Sequence, residues 1–551
     1  MKTILNSLSS FIRNNLILVV LLAAAAAWKT VLLGMNVFSF NSDEAIVALM
    51  AKHILSGERP IFFYGQSYMG SLDAFLVAGG FLIFGQHVWV IRLIQSILYL
   101  LTIITTVWIA KVFFNSYRSG IIAAAILAVP TVNILLYTTI SLGGYGEALL
   151  LGNLILLSVF GILRNSKAFS GRLLYIIEPF HWISLLLGIL MGIGLWANGI
   201  TLVYSIPSVI MIIWIFLESR KQIGYRRMAL SLGSIIFGFI IAAFPYWIYG
   251  FQEGWQILLS ELLGSAVSVE KISYIQKILL HAANMFLMSP PLIFGFRPPW
   301  GIRWLMLPLI PFVNFLWFWI LWVYIQKLIK KNRKRVPNLL LFGVICTLTA
   351  GFVCTSFGSD PSGRYFLPLG VLLAIIAAEA IQEITHSTKI QICLITLLIV
   401  YQLFSTIQVA SENPPGLTTQ FDPIAILDHT YDQELIDFLT AEDEIYGYTN
   451  YWTAYPLAFL SDEELIFIPR LPYHLDFRYT SRDDRYEPYR ILVESAKKVA
   501  YITTNHPELD NYLRESFAIN GITWSEKEIG DYNVFFRISR VIRPEEMGFG
   551  E

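Results

Sequence analysis

The chain has 551 residues, of which 56% are hydrophobic, 15% aromatic and only 14% charged. Soluble domains carry about 25% charged residues, and the mean hydropathy here is +0.61, so a soluble globular, disordered or collagen-like chain is excluded and a membrane protein is indicated. The formal charge is zero, yet residues 1–410 hold 27 Lys and Arg against 13 Asp and Glu, whereas residues 411–551 hold 12 against 26, which divides the chain between two compartments.

Apolar runs of the length needed to cross about 30 Å of hydrocarbon are expected at 14–34, 88–111, 119–140, 146–163, 180–197, 200–217, 229–249, 304–326, 338–356, 366–384 and 389–408, eleven in all. The first reads as a span rather than a cleaved leader, because Arg13 precedes it, Lys29 interrupts its far end and no small-residue cleavage pattern follows. Between the first two spans, helices are expected at 43–56, capped by Ser42, and at 71–85, started by Ser71 with Asp73 in the first turn, both lying at the membrane interface. Gly57-Glu58-Arg59-Pro60 and Tyr64-Gly65-Gln66 read as turns between them. The Pro-rich stretch 283–296 reads as an interfacial or partly re-entrant element.

With a cytoplasmic N-terminus, the basic clusters Lys111/Arg118, Arg164/Lys167/Arg172, Arg220/Lys221/Arg226/Arg227 and Lys327–Arg335 all fall inside, as the positive-inside rule requires. The acidic tail is then extracytoplasmic. Short basic loops of this kind reflect topology and not a nucleic-acid partner. Ser411-Glu412-Asn413-Pro414-Pro415-Gly416 marks the expected boundary between a membrane domain, 1–410, and a soluble α/β domain, 411–551. That domain is expected to have helices at 431–440 and 452–460, strands at 443–448, 464–468, 498–504 and 532–538, and a long polar loop over 470–490.

Cys346, Cys354 and Cys393 all lie in apolar runs, so neither a disulfide framework nor a Cys-based zinc site is offered. There is no phosphate loop, HExxH or GxSxG motif. His53 and His87 have no second ligand at metal spacing.

Chemistry concentrates at the expected outer surface. Asp43 and Glu44 follow the first span at a helix start, where carboxylates meet free N–H groups; a carboxylate at that depth also serves to accept a proton from, or orient, a hydroxyl nucleophile. Glu147, in Gly143-Gly144-Tyr145-Gly146-Glu147, is placed to form an acidic pair with Asp43. Asp43, Glu44 and Glu147 together are of a kind able to hold a divalent cation, although no metal is assigned. Arg364 opens a span at headgroup depth beside Asp360 and Tyr365, and Arg92, Arg297 and Arg303 share its level, so the four arginines are candidates for a phosphate pocket as well as for simple helix anchors. Tyr64 and Gln66 offer the aromatic and amide surfaces that a sugar ring needs, and also suit the interfacial belt.

Three segments carry a family likeness: Asn41-Ser42-Asp43-Glu44-Ala45, Tyr68-Met69-Gly70-Ser71-Leu72-Asp73-Ala74-Phe75-Leu76 leading through Phe84-Gly85 to Arg92-Leu93, and Gly363-Arg364-Tyr365-Phe366-Leu367-Pro368. Their order and topology over residues 1–400 resemble the GT-C superfamily of integral-membrane glycosyltransferases, in particular the branch of dolichyl-phosphate-mannose-protein mannosyltransferases and aminoarabinose transferases. The resemblance implies a helical multi-span fold and a polyprenyl-phosphate-linked sugar donor in the plasma membrane. It further implies a glycan, lipid or protein acceptor, and inversion at the anomeric carbon. Asp43 would then activate the acceptor, with Glu44 in support and Glu147 as a second acidic member, and Arg364 would take the carrier phosphate. No cofactor is called for. Transport of a lipid-linked or small polar solute, a catalytically inert assembly subunit, and an oligosaccharide ligase or lipid-phosphate phosphotransferase remain the alternative readings.

Overall fold

In lipid each backbone N–H and C=O must be paired within its own segment, so apolar runs of this length are driven into helices. The computed structural model describes residues 15–167, 177–265, 273–330, 335–360, 362–412 and 416–549. Among these, nine helical segments are long and apolar enough to cross a membrane: Leu16–Gly34, Val88–Phe114, Tyr145–Leu163, Gly199–Glu218, Tyr225–Ala242, Leu307–Ile329, Arg335–Cys354, Arg364–Ile384 and Thr388–Ala410. The protein is a multi-pass membrane protein. Arg13, Arg172, Lys331, Arg333, Lys334, Pro361 and residues 413–415 of the expected boundary lie outside the described residues.

The chain opens with α1 (Leu16–Gly34), α2 (Ser42–Leu55), a hairpin of β1 (Phe62–Phe63) and β2 (Gln66–Gly70), α3 (Leu72–Phe84) and α4 (Val88–Phe114). Asn41, not Ser42, caps α2: its side chain accepts from the Glu44 N–H at 3.0 Å, while the Ser42 hydroxyl donates to the Tyr451 carbonyl. The expected helix is enclosed by the protein: its residues from Ala45 to Ala51 are all buried, so it has no lipid-facing side.

The expected span 119–140 is also corrected. Pro130 cannot donate into a helix, and the run divides into α5 (Tyr117–Ala128) and α6 (Val132–Tyr137), with the Thr131 side chain capping the second. Then follow α7 (Tyr145–Lys167), α8 (Ile177–Ala197) and α9 (Leu202–Glu218). The run 229–249 is two helices, α10 (Tyr225–Ala242) and α11 (Phe244–Glu253), the latter begun by Pro245. Beyond α12 (Trp255–Leu262) and α13 (Tyr274–Ala283), the 283–296 stretch is a π-helical turn, Asn284–Met288, running into a one-turn helix, Ser289–Ile293. The remaining long helices are α14 (Ile310–Ile329), α15 (Arg335–Cys354), α16 (Leu367–Ile384) and α17 (Thr388–Ala410). The span that ends in α16 is the most enclosed, 89% buried, and so sits at the centre of the helical layer.

The C-terminal region contains α18 (Asp432–Ala441), β3 (Tyr446–Thr449), α19 (Tyr451–Leu460), β4 (Ile466–Pro469), α20 (Glu487–Ser495), β5 (Ala500–Thr504), α21 (Pro507–Ile519), β6 (Ser525–Ile529) and β7 (Tyr532–Phe536). The sheet order is β4-β3-β5-β7-β6, with β3 parallel to β4 and β5, and β7 antiparallel to both its neighbours. The helix α19 meets α2 through the Ser42–Tyr451 bond, and its Phe459 lies against Phe40, just ahead of α2, and Phe81 of α3, at ring separations of 5.7 and 6.1 Å.

One ionic contact fixes α2 against α4. The Arg92 guanidinium donates to both Glu44 oxygens, Nε to Oε1 at 3.1 Å and Nη2 to Oε2 at 3.0 Å, and both side chains are buried. Burial pushes the Glu44 carboxyl up, and Arg92 works against that rise. Removing one member strands a charge in the interior, so Arg92→Met is expected to cost about 3–5 kcal/mol. The double variant Arg92→Leu/Glu44→Leu should recover most of that loss, as read by thermal unfolding in detergent.

Candidate active site

The first turn of α2 aims two adjacent carboxylates in different directions, because successive helical side chains are about 100° apart. Glu44 points inward to Arg92. Asp43 points to a cavity of about 660 Å³ between the helical layer and the C-terminal region.

On the Asp43 wall, Tyr451 donates its hydroxyl to Asp43 Oδ1 at 2.6 Å, and Arg485 Nη1 lies 3.7 Å from the same oxygen. Asp43 Oδ2 has no partner among the described residues. Tyr451 is held there because it opens α19, whose cap Asn450 accepts from the Trp452 N–H at 2.9 Å. The Arg485 guanidinium lies over the rings of Tyr451 and Phe63, with centroids at 4.7 and 5.5 Å. The Gln66 amide oxygen, turned toward it, accepts from Nη1 and Nη2 at 3.3 and 3.1 Å. Gly65 makes this approach feasible: its φ is +74°, and a Cβ there would meet the Arg485 Cγ at 2.9 Å.

The opposite wall is the turn before α16. Arg364 donates from Nε and Nη2 to Asp360 Oδ2 at 2.9 and 2.7 Å, and its guanidinium sits 5.2 Å from the Tyr365 ring centroid. Asp360 Oδ1 accepts from the Ser362 N–H at 2.8 Å. Gly363, at φ +89°, is required: a Cβ would come within 2.1 Å of Leu292 and 2.6 Å of Asn133. Asp360 and Arg364 remain 15% and 20% exposed, enough to meet a solute in the cavity.

Asp43, Gln66, Asp360 and Arg364, expected from three separate segments, thus line one cavity. The other candidates lie elsewhere. Tyr365 is buried beneath Arg364. Tyr64 turns away from the cavity, with its hydroxyl bonded to Glu58 at 2.9 Å and to His53 at 3.0 Å. The four-arginine phosphate pocket is corrected. Arg92 is taken by Glu44, Arg303 pairs with Glu412, and Arg297 folds back on the carbonyls of Met288 and Pro298 at 3.1–3.2 Å, closing its own loop. The acidic pair is corrected too, since Glu147 lies beside Asp73 rather than Asp43. With Asp43, Glu44 and Glu147 facing three different partners, no group of three metal-ligating side chains is gathered among the described residues, and the residues present do not fit the expected cation cluster.

The C-terminal region supplies cavity residues that sequence reasoning missed: Tyr451, Trp452, Tyr473, Asp483 and Arg485. Three of them, Tyr473, Asp483 and Arg485, lie in the polar, aperiodic 470–490 stretch, which carries no signal of which side chains turn inward. Burial raises Asp483 to about 7, with Arg485 opposing and Asp43 reinforcing the rise. Burial disfavours charge on Arg485, but Tyr451, Asp43 and Asp483 outweigh it and keep the guanidinium protonated. The cavity therefore presents an anchored carboxylate with one open oxygen, and across from it a guanidinium with one nitrogen, Nη1, unpaired among the described residues. That is a pairing able to engage a hydroxyl at one side and an anionic group at the other.

No protein-family model matches the sequence, and no curated protein matches it. Solved structures do. ArnT from Cupriavidus metallidurans, crystallised with undecaprenyl phosphate, superposes with a TM-score of 0.54 at 13% identity over 94% of this chain and 97% of that one. The Archaeoglobus fulgidus oligosaccharyltransferase, in complex with Zn and sulfate, gives 0.53 at 13% identity over 91% of this chain and 69% of its own. The same archaeon's AglB, with an inhibitory peptide and a dolichol-phosphate, gives 0.50 at 13% identity over 92% and 71%. At such identity the likeness concerns the fold alone, which this chain shares with these membrane proteins.

Proposed function

We propose that this protein is an inverting glycosyltransferase that moves a sugar from a polyprenyl-phosphate carrier to an acceptor at the extracytoplasmic face of the plasma membrane. One observation carries the reading: Asp43 and Arg364, from opposite ends of the helical layer, line one cavity roofed by the C-terminal region. Two of the structural neighbours bind polyprenyl phosphates, undecaprenyl phosphate in ArnT and dolichol-phosphate in AglB.

The chemistry follows from the two walls. An acceptor hydroxyl attacks the anomeric carbon from the face opposite the carrier phosphate. As its oxygen bonds to carbon, its proton passes to Asp43 Oδ2; Oδ1 stays held by Tyr451 and Arg485, which keep the carboxylate aimed. The carbon–oxygen bond to phosphate breaks, its electron pair goes to the phosphate oxygen, and Arg364 meets the developing charge. Asp360 holds the guanidinium in place from the other side. The membrane supplies both donor and solvent for its lipid chain. The acceptor is a glycan, a lipid or a protein that carries a hydroxyl or amine.

Reconstituted protein supplied with a synthetic lipid-phosphate sugar tests this. Asp43→Asn is expected to lower turnover by about 10²–10⁴-fold while the variant unfolds at the wild-type temperature. Unchanged turnover would refute the assignment. Arg364→Ala should cost about 10²–10³-fold, and Tyr451→Phe markedly less than Asp43→Asn. A separate test uses Asp483. Since its carboxyl is raised to about 7 in the folded protein, ionising it opposes folding: stability should fall as pH rises from the ordinary carboxylate range through about 7, by up to about 4 kcal/mol. Asp483→Asn should remove that slope from the thermal unfolding curve.

A further inference from the structure

At the opposite end of α2 from Asp43, His53 sits in a polar network away from the cavity. Its Nε2 lies 2.9 Å from Glu463 Oε1, and its Nδ1 lies 3.0 Å from the Tyr64 hydroxyl. Both neighbours have further partners. Tyr64 donates to Glu58 Oε2 at 2.9 Å, and Tyr486 donates to Glu58 Oε1 at 2.7 Å. Tyr489 donates to Glu463 Oε1 at 2.7 Å, and Lys52 pairs with Glu463 at 2.8 Å and Asp462 at 2.5 Å. Burial opposes charge on Glu463, but His53, Lys52 and Tyr489 outweigh it and hold its carboxyl down to about 2.

The ring thus spans two elements, with one nitrogen to each. It lies in the last turn of α2 and stacks on Tyr486 with centroids 4.6 Å apart. Arg59, the remaining nearby charge, is occupied by the carbonyls of Ile54 and Glu58.

Two of the groups that His53 touches, Tyr64 and Tyr486, are each next to a cavity segment. Tyr64 precedes Gly65 and Gln66; Tyr486 follows Arg485, and its ring stacks on Tyr64 at 4.8 Å. We propose that His53 is a positioning residue, which by contacting the hairpin tip and the C-terminal region at once holds Gln66 and Arg485 against Asp43. Removing the ring frees both contacts, so the hairpin tip and the 483–489 segment loosen together. What is being positioned rests on the function proposed above; the network itself does not.

Amide hydrogen exchange of the full-length protein in lipid nanodiscs tests this without any sugar substrate. In His53→Gln, protection over 61–70 and 483–490 is expected to fall about tenfold or more, while the pairing regions of β3 and β5 keep wild-type protection. Tyr64→Phe, which keeps the ring stack and removes the hydroxyl, should lose protection over 61–70. In the transfer assay His53→Gln should raise KM more than it lowers kcat. Wild-type protection of both segments in His53→Gln overturns the proposal. The expected loss of protection in a protein that transfers no sugar would refute the reaction and leave the clamp standing.

Discussion

The candidate site exists because one guanidinium is carried a long way to meet one carboxylate. Arg485 enters from the C-terminal region between the rings of Tyr451 and Phe63 and stops beside Asp43. A buried cation without a counter-charge is costly, and aromatic faces alone do not compensate it. Asp43, the Gln66 amide and the Asp483 carboxyl nearby provide what the rings cannot. The same contact fastens the first loop of the helical layer to the tail and gives the cavity its roof. The two halves of the protein are therefore joined at the place where the chemistry is proposed to occur, and neither half holds a complete cavity by itself.

Adjacent residues on α2 divide the work of stability and chemistry. Glu44 is fully enclosed and satisfied by a bidentate arginine, an arrangement that locks two helices in register. Asp43, one residue earlier, keeps an oxygen open to the cavity. The Arg364–Asp360 pair follows a third pattern, half-buried, with one face locked and the other available. Charge is retained in this low-dielectric setting only where a partner has been supplied, and the partners differ in how much of the charge they leave usable.

Much of this was legible in the sequence, for a physical reason. A charged residue at the end of an apolar run must have an explanation, and Asp43, Asp360 and Arg364 were found that way; all three line the cavity. The same signal misplaced Arg92, Arg297 and Arg303, because hydropathy shows that an arginine sits at a boundary and not whether it faces a carboxylate, a loop carbonyl or a solute. Periodicity located α2 within a residue at each end, yet its burial could not be read, since α19, which covers it, lies some 400 residues downstream. In the tail, the apolar strands β3, β4, β5 and β7 were visible, whereas β6, Ser525-Glu526-Lys527-Glu528-Ile529, is an edge strand whose charges hide it. Arg485 was illegible because a polar stretch without periodicity gives no hint of which arginine turns inward.

The separation between partners along the chain also sets an order of events during synthesis. Glu44 and Arg92 are 48 residues apart, so their bond is available as soon as the second span has emerged. Asp43 waits 408 residues for Tyr451, and longer for Arg485. A nascent chain thus carries a finished scaffold and an unpaired carboxylate until its last fifth or so is being made. Asp43 gains its bearings only when translation is nearly over, so the cavity is the last part of the protein to be completed.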